Sequence, residues 1–247
     1  MMGVVLVPGL LAAGIGSLIY VGLGDWTGFG TFSLAVPDIP AAGSPDVAQF
    51  LWAIAIGILA AILGSGIRRL ALGLQPIVER RMLVLTPVAG IAIGVLVFVE
   101  ATGRSSSYVL FSGQEQLAPL IEEAAGWTVG ALLLLALCKG LAYAVALSGF
   151  RGGPVFPGMF IGAVGGIALS SLPGLPMIAG AAMGIGAMTC AMLGLPLVSV
   201  LLVTLFLQAD GLPLMPLVIV AVVVSYVVSA RLTPTPSSSA PVQPAAG

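Results

Sequence analysis

The sequence predicts an all-α, polytopic membrane protein: a bundle of broken and tilted helices of unequal length. Three observations carry this. Hydrophobic residues make up 59% of the 247 residues and charged residues 7%, where a soluble domain is about a quarter charged. The charges also leave long gaps. None falls between Gly152 and Ala209, and after Asp210 none falls between Gly211 and Ala230. A spanning helix needs roughly 20 mostly apolar residues, so this stretch has room for several embedded helices. Finally, Gly and Pro cut the apolar run into pieces, some too short to cross a bilayer alone. Such pieces are tolerated only where they are buried in protein or line a wet cavity. A soluble globular domain is excluded, because this chain has too little polar surface to face water all round.

Eight apolar segments and one short amphipathic helix follow in order. The first runs from about Val4 to Leu23. Met1-Met2-Gly3-Val4 has no basic region and no clear cleavage site, so it reads as the edge of a membrane helix and not as a removable leader. A Gly- and Pro-rich loop through Asp25, Pro37, Asp38, Pro40 and Pro45 comes next, a composition that stops helices. Segment two spans Pro45 to Leu74, with Asp46 placed to serve its free N–H groups and Arg68 and Arg69 near its end, where cations suit the dipole. Its length implies a tilt or a protruding end. A basic loop at Glu79, Arg80 and Arg81 leads to segment three, Met82 to Val99. Polar residues from Glu100 to Ser107 follow, then an amphipathic helix from Glu115 to Glu123. Segment four is Trp127 to Leu147. Segment five starts near Pro154 and stops before Pro173. Segments six, seven and eight are Met177 to Leu193, Pro196 to Gln208 and Pro213 to Ala230. Residues 1–232 thus form a membrane domain. The Pro, Ser, Ala and Gln tail, 233–247, cannot bury a core and is expected to be disordered.

Composition narrows function as well. Net charge is −1, which gives no electrostatic basis for a nucleic-acid partner. The chain has no histidine, and its two cysteines, Cys138 and Cys190, sit in apolar runs as small buried side chains. No metal or cofactor is expected, and without a visible nucleophile–base pair neither is an enzyme. Glu100, Glu115, Glu122 and Glu123 fall at segment ends or loops and read as solvated. Four of the eight basic residues lie between Arg68 and Arg81, which places that loop in the cytoplasm of a multi-pass protein of the cell membrane. Glycines at small-residue spacing, Gly162, Gly165 and Gly166 in segment five and Gly180, Gly184 and Gly186 in segment six, read as sites of close helix–helix approach.

The chemistry is carried by Ser148-Gly149-Phe150-Arg151-Gly152-Gly153-Pro154-Val155-Phe156-Pro157. Gly-Gly and two prolines break a membrane segment, and an apolar helix begins at once. A helix start exposes free N–H groups and the positive dipole end, an anion site that needs no charged side chain. Membrane transporters use such broken helices to hold anionic groups. A plain loop between two helices is the other reading. Lys139, inside segment four, either pairs with a carbonyl or snorkels, or it adds a positive field to an anion path.

Gly152-Gly153-Pro154-Val155-Phe156-Pro157 resembles the Gly-Gly-x-Phe-x-Pro element of the CLC chloride channel and transporter family. Lys139 stands where that family often has a basic residue. Phe160-Ile161-Gly162-Ala163-Val164-Gly165-Gly166 is similar to its Gly-rich helix, and Met183-Gly184-Ile185-Gly186-Ala187 with Leu195-Pro196-Leu197 to a later run. The resemblance extends from the first segment to Ala230 and covers the family's C-terminal half and the helix before it. It implies anion transport, with Gly153, Pro154, Val155, Phe156 and Pro157 around a chloride-like ion. Counted from Lys139, the donating amides are those of Val155 and Phe156. Counted back from Gly162-Ala163, they fall on Pro154 and Val155. The first register keeps Phe as Phe and avoids Pro154, which has no N–H. The resemblance also implies a homodimer through the first segment and Pro196 to Ala230.

Other family features are missing from this sequence. It has neither the Gly-Ser-Gly-x-Pro nor the Gly-Arg-Glu-Gly-Pro stretch, and so lacks the gating glutamate of the latter. The inner glutamate of proton-coupled members is absent too. Tyr226 lies too early to take the role of the family's anion-contacting tyrosine. The chain is therefore expected to carry an incomplete pathway, completed by a separate polypeptide bearing the N-terminal half. A non-conducting scaffold or assembly subunit is the alternative.

Overall fold

The computed structural model describes residues 2–28, 45–100, 108–150 and 152–232, apart from the side chains of 2–6, 99, 100, 209 and 210. The tail at 233–247, most of the first loop, Arg104 and Arg151 lie outside the described residues. These residues form α1 (Met2–Thr27), α2 (Val47–Arg80), α3 (Met82–Glu100), α4 (Leu117–Glu122), α5 (Val129–Gly149), α6 (Val155–Leu169), α7 (Met177–Leu193), α8 (Pro196–Leu207) and α9 (Met215–Leu232). Among the described residues there is no β-strand. Among the described residues four helical stretches are long and apolar enough to cross a membrane: Val7–Thr27, Val47–Arg80, Val129–Gly149 and Gly211–Leu232. At a rise of about 1.5 Å per residue, α8 is only about 18 Å long and α6 about 22 Å. Neither crosses a ~30 Å hydrocarbon core alone.

α1 belongs to a compact unit of its own, Met1–Leu34. It continues through Pro8 and ends at Gly28, whose φ of +72° favours a glycine. In the last turn the Thr27 hydroxyl donates to the Leu23 carbonyl at 2.6 Å.

The larger unit, from Ala35 onward, is built around α7. Nearly every residue from Ala179 to Met192 is buried. α6, α2, α9 and α8 pack on α7, and glycines make this crowding possible. Gly162 faces the Gly184 backbone and Gly166 the Gly180 backbone, so closely that a Cβ on either would collide with a carbonyl oxygen. A Cβ at Gly57 would lie 2.7 Å from the Ala221 carbonyl oxygen, which brings α2 against α9. In lipid, where burial of apolar surface offers little drive, such contact is what holds helices together. Ser225 adds a cross-helix bond by donating to the Ala187 carbonyl at 2.7 Å.

Caps fix several helix ends. The Asp46 carboxylate accepts from the Val47 N–H at 2.7 Å. Thr128 accepts from Ala131 at 3.3 Å. Gly194, at φ +69°, closes α7. One expectation is corrected here. α2 does not stop near Leu74 but continues through Pro76 to Arg80, and the basic loop shrinks to Arg81. Arg68 and Arg69 therefore do not sit at the end of their own helix. Arg68 Nη2 donates to the Ala191 and Met192 carbonyls at 3.1 and 3.0 Å, and Arg69 Nη2 to the Leu232 carbonyl at 2.6 Å. They cap the C-termini of α7 and α9, satisfying orphan carbonyls at the negative dipole ends. The amphipathic helix is also shorter than expected. It buries Leu117, Leu120 and Ile121, leaves Glu122 exposed, and gives way to a 3₁₀ turn at Ala124–Gly126.

Candidate functional site

The α5–α6 connection forms the site. α5 ends at Gly149, and α6 begins at Val155 with Pro154 as its cap residue. The first turn of any helix leaves its N–H groups without intrahelical acceptors. Here the cap is Pro154 and the third helical residue is Pro157, and neither has an N–H. The amides left to face a ligand at this end are those of Val155 and Phe156, the pair in the first of the two sequence registers. Both residues are half-buried, whereas Gly152 and Gly153 are exposed and Pro157 is buried. Cβ atoms at Gly152 or Gly153 would meet nothing within 4 Å, so these glycines leave open space beside the helix start.

That space is part of a cavity of about 290 Å3, lined by Gly152, Gly153 and Pro157 together with Val109, Phe111, Lys139 and Tyr143. Lys139 and the helix start, singled out separately in the sequence, thus meet at one cavity. Lys139 is 2% exposed. Its Nζ donates to four carbonyls in a row, those of Tyr108, Val109, Leu110 and Phe111, at 3.0, 3.1, 3.1 and 3.1 Å. The Phe160 ring lies 4.9 Å from the same nitrogen, near enough for a cation–π contact. An ammonium has three N–H donors, and here all are engaged by carbonyls. Lys139 therefore shapes the wall of the cavity, and what it offers an anion is a positive field without a hydrogen bond.

The carbonyl cup is held open by its own backbone. Phe111 sits at φ +55° and Gly113 at φ +85°. A Cβ at Gly113 would lie 2.9 Å from Phe160, so this turn admits only glycine without rearrangement. Tyr108 stacks edge-on with Trp127, their ring centroids 5.2 Å apart. The sequence did not single out Tyr108 to Phe111, because Tyr-Val-Leu-Phe offers no side-chain acceptor for an ammonium. The nearest signal was Lys139 itself: a lone cation in an apolar helix has to find acceptors.

The remaining candidates stay apart from this cavity. Glu115, Glu122 and Glu123 are exposed, and Tyr226 is 44% exposed on α9. Cys138 and Cys190 are both buried and neither is in a disulfide. Among the described residues no group of three or more His, Cys, Asp or Glu side chains could hold a metal ion. An arrangement of this kind can hold a small anion by main-chain N–H groups at a positive helix end.

Comparison with known proteins agrees with this fold. The family model for the voltage gated chloride channel matches residues 2–230. Among curated proteins no relative matches. A solved structure, the crystal structure of a CLC-type fluoride/proton antiporter, superposes with a TM-score of 0.64 at 22% sequence identity, covering 84% of this chain and 50% of that one. The chain spans about half the length of that solved relative, whose likeness speaks to the fold. With nearly its whole length matched by the family model, the chain belongs to the voltage-gated chloride channel family, CLC.

Proposed function

We propose that this chain carries chloride or a similar small anion along a CLC-type pathway, and that residues 1–247 supply one donor site of that pathway and not the whole of it. The observation that carries the reading is the start of α6: two amides without intrahelical acceptors, Val155 and Phe156, beside an open cavity walled by Lys139. Gly153, Pro154 and Pro157 shape the site, and Lys139 supplies the field. No covalent chemistry is assigned to the chain, which has no histidine. We place it in the cell membrane with Arg80 and Arg81 on the cytoplasmic side. The missing donors come from outside these residues, for instance from a polypeptide bearing the N-terminal half. Crystals of the purified chain grown in bromide test the reading. Anomalous density within hydrogen-bond reach of the Val155 and Phe156 nitrogens is expected. Bromide bound elsewhere with none at this helix end would favour a non-conducting scaffold.

The proposed assembly is a homodimer. Leu197, Leu201 and Leu205 make an exposed stripe along α8, and Ile219, Val223 and Val227 one along α9, each at four-residue spacing on one helix face. The family resemblance supports reading this region as the subunit contact. A Leu201→Cys variant, oxidised in a bilayer, is expected to form a disulfide-linked dimer. A chain that stays monomeric at several such positions contradicts the assignment.

A further inference from the structure

A second cavity of about 260 Å3 flanks the start of α6, lined by Arg68, Gln75, Tyr143 and Pro154 among others. Pro154 is the residue that caps α6, and Tyr143 also lines the Lys139 cavity. Tyr143 thus lines two cavities, each with a wall near the start of α6. Two polar groups here have donors to spare. Tyr143 is 8% exposed, and its hydroxyl is buried with no hydrogen-bond partner. Buried hydroxyls almost always have a partner, and one without is costly. Arg68 commits a single nitrogen, Nη2, to the Ala191 and Met192 carbonyls. A guanidinium has five N–H donors, and those on Nε and Nη1 make no hydrogen bond among the described residues. The two carbonyls fix the group in place without neutralising its charge. Gln75 gives one of its two amide N–H donors to Glu79 on the same helix at 2.7 Å.

We propose that this cavity is a second subsite for a small inorganic anion, held between the Arg68 guanidinium and the Tyr143 hydroxyl. It rests on the reading of α6 as an anion-bearing helix, and extends it to a second cavity beside the Pro154 cap. Lys139 cannot fill this role, since its N–H groups are spent on carbonyls. A positioned guanidinium with free donors can, because it binds anions through directed N–H groups as well as by charge.

The test is the melting temperature of the purified full chain as chloride replaces gluconate at constant ionic strength, since a ligand that binds the folded state stabilises it. Tyr143→Phe keeps the ring and its packing. In gluconate it is expected to melt above the parent protein, because it removes a buried hydroxyl that has no partner. In chloride its stabilisation is expected to need at least fivefold more anion. Arg68→Lys is expected to need tenfold more, and should that variant misfold, the isosteric Tyr143→Phe carries the test alone. Superposable titrations for the parent and Tyr143→Phe would overturn the subsite and leave the α6 reading standing. An ester oxygen in place of the Phe156 amide N–H separates the two. If it has no effect while the Tyr143 effect persists, the subsite stands and the helix-end reading fails. Stabilisation that appears only with anionic lipid, and not with chloride, would overturn a small-anion subsite.

Discussion

Lys139→Met is expected to destabilise the chain by about 3 kcal/mol or more, and the reason is the carbonyl cup and not the charge itself. Replacing a whole buried ionic group by apolar residues can be neutral, because the desolvation cost disappears with the charge. Here only the ammonium goes. The carbonyls of Tyr108, Val109, Leu110 and Phe111 stay, held in place by the positive-φ turn at Phe111 and Gly113. Each buried acceptor left without a partner costs about 1–3 kcal/mol. The relief of desolvation offsets part of that sum, and lost acceptors win. Thermal unfolding in detergent should show the midpoint falling by roughly 6–12 °C, at about 2–4 °C per kcal/mol for a chain of this size. Lys139→Arg should not restore it, because a planar guanidinium does not fit a cup shaped around a compact ammonium. An unchanged midpoint for Lys139→Met would show that the cup relaxes at no cost and that Lys139 does not hold the cavity wall.

The second large effect is on transport. Purified residues 1–247 in liposomes are expected to release chloride at the rate of protein-free liposomes. An ion stripped of water in a low-dielectric medium faces a penalty of tens of kcal/mol. Two charge-assisted hydrogen bonds from Val155 and Phe156 return roughly 3–6 kcal/mol. The shortfall needs further donors along a continuous path. The Arg68 cavity lengthens the path without completing it. Co-expression with a polypeptide carrying the two missing glycine-rich motifs is expected to raise the flux. Robust chloride release from the chain alone, lost when the Phe156 amide becomes an ester, would show that these residues make a complete pathway.

Much of the architecture was legible because it depends on local breaks. Met177 and Leu193 are the ends of α7 in both the sequence reading and the structure, since Pro176 precedes the helix and Gly194 follows it. Val155 starts α6 one residue after the proline that marked it. The end of α2 was misplaced at Leu74, and the helix runs on through Pro76 to Arg80. A proline costs a soluble helix about 3 kcal/mol or more, but membrane helices re-satisfy the freed backbone groups locally. That error displaced Arg68 and Arg69, whose partners on α7 and α9 lie more than a hundred residues away. The candidate site was legible where side-chain type encodes it. Gly153, Pro154 and Pro157 declare a broken helix. The partners of Lys139 were hidden, because main-chain carbonyls are present at every residue and only the fold selects four. Tyr143 was hidden as well, an aromatic residue in an apolar run whose lack of a partner shows only in three dimensions.

If the Val155 and Phe156 amides hold a small anion, halide binding depends on the backbone at the start of α6. The full chain is titrated with chloride, followed by broadening of the chloride NMR line, with and without an ester oxygen replacing the Phe156 N–H. The side chain, Pro157 and the helix register all remain as they are. A charge-assisted hydrogen bond of about 1.5–3 kcal/mol converts to a roughly 10- to 150-fold weaker affinity, and a loss of at least tenfold is the result expected. Identical titrations for the amide and the ester would contradict this, because no anion could then be resting on the Phe156 amide.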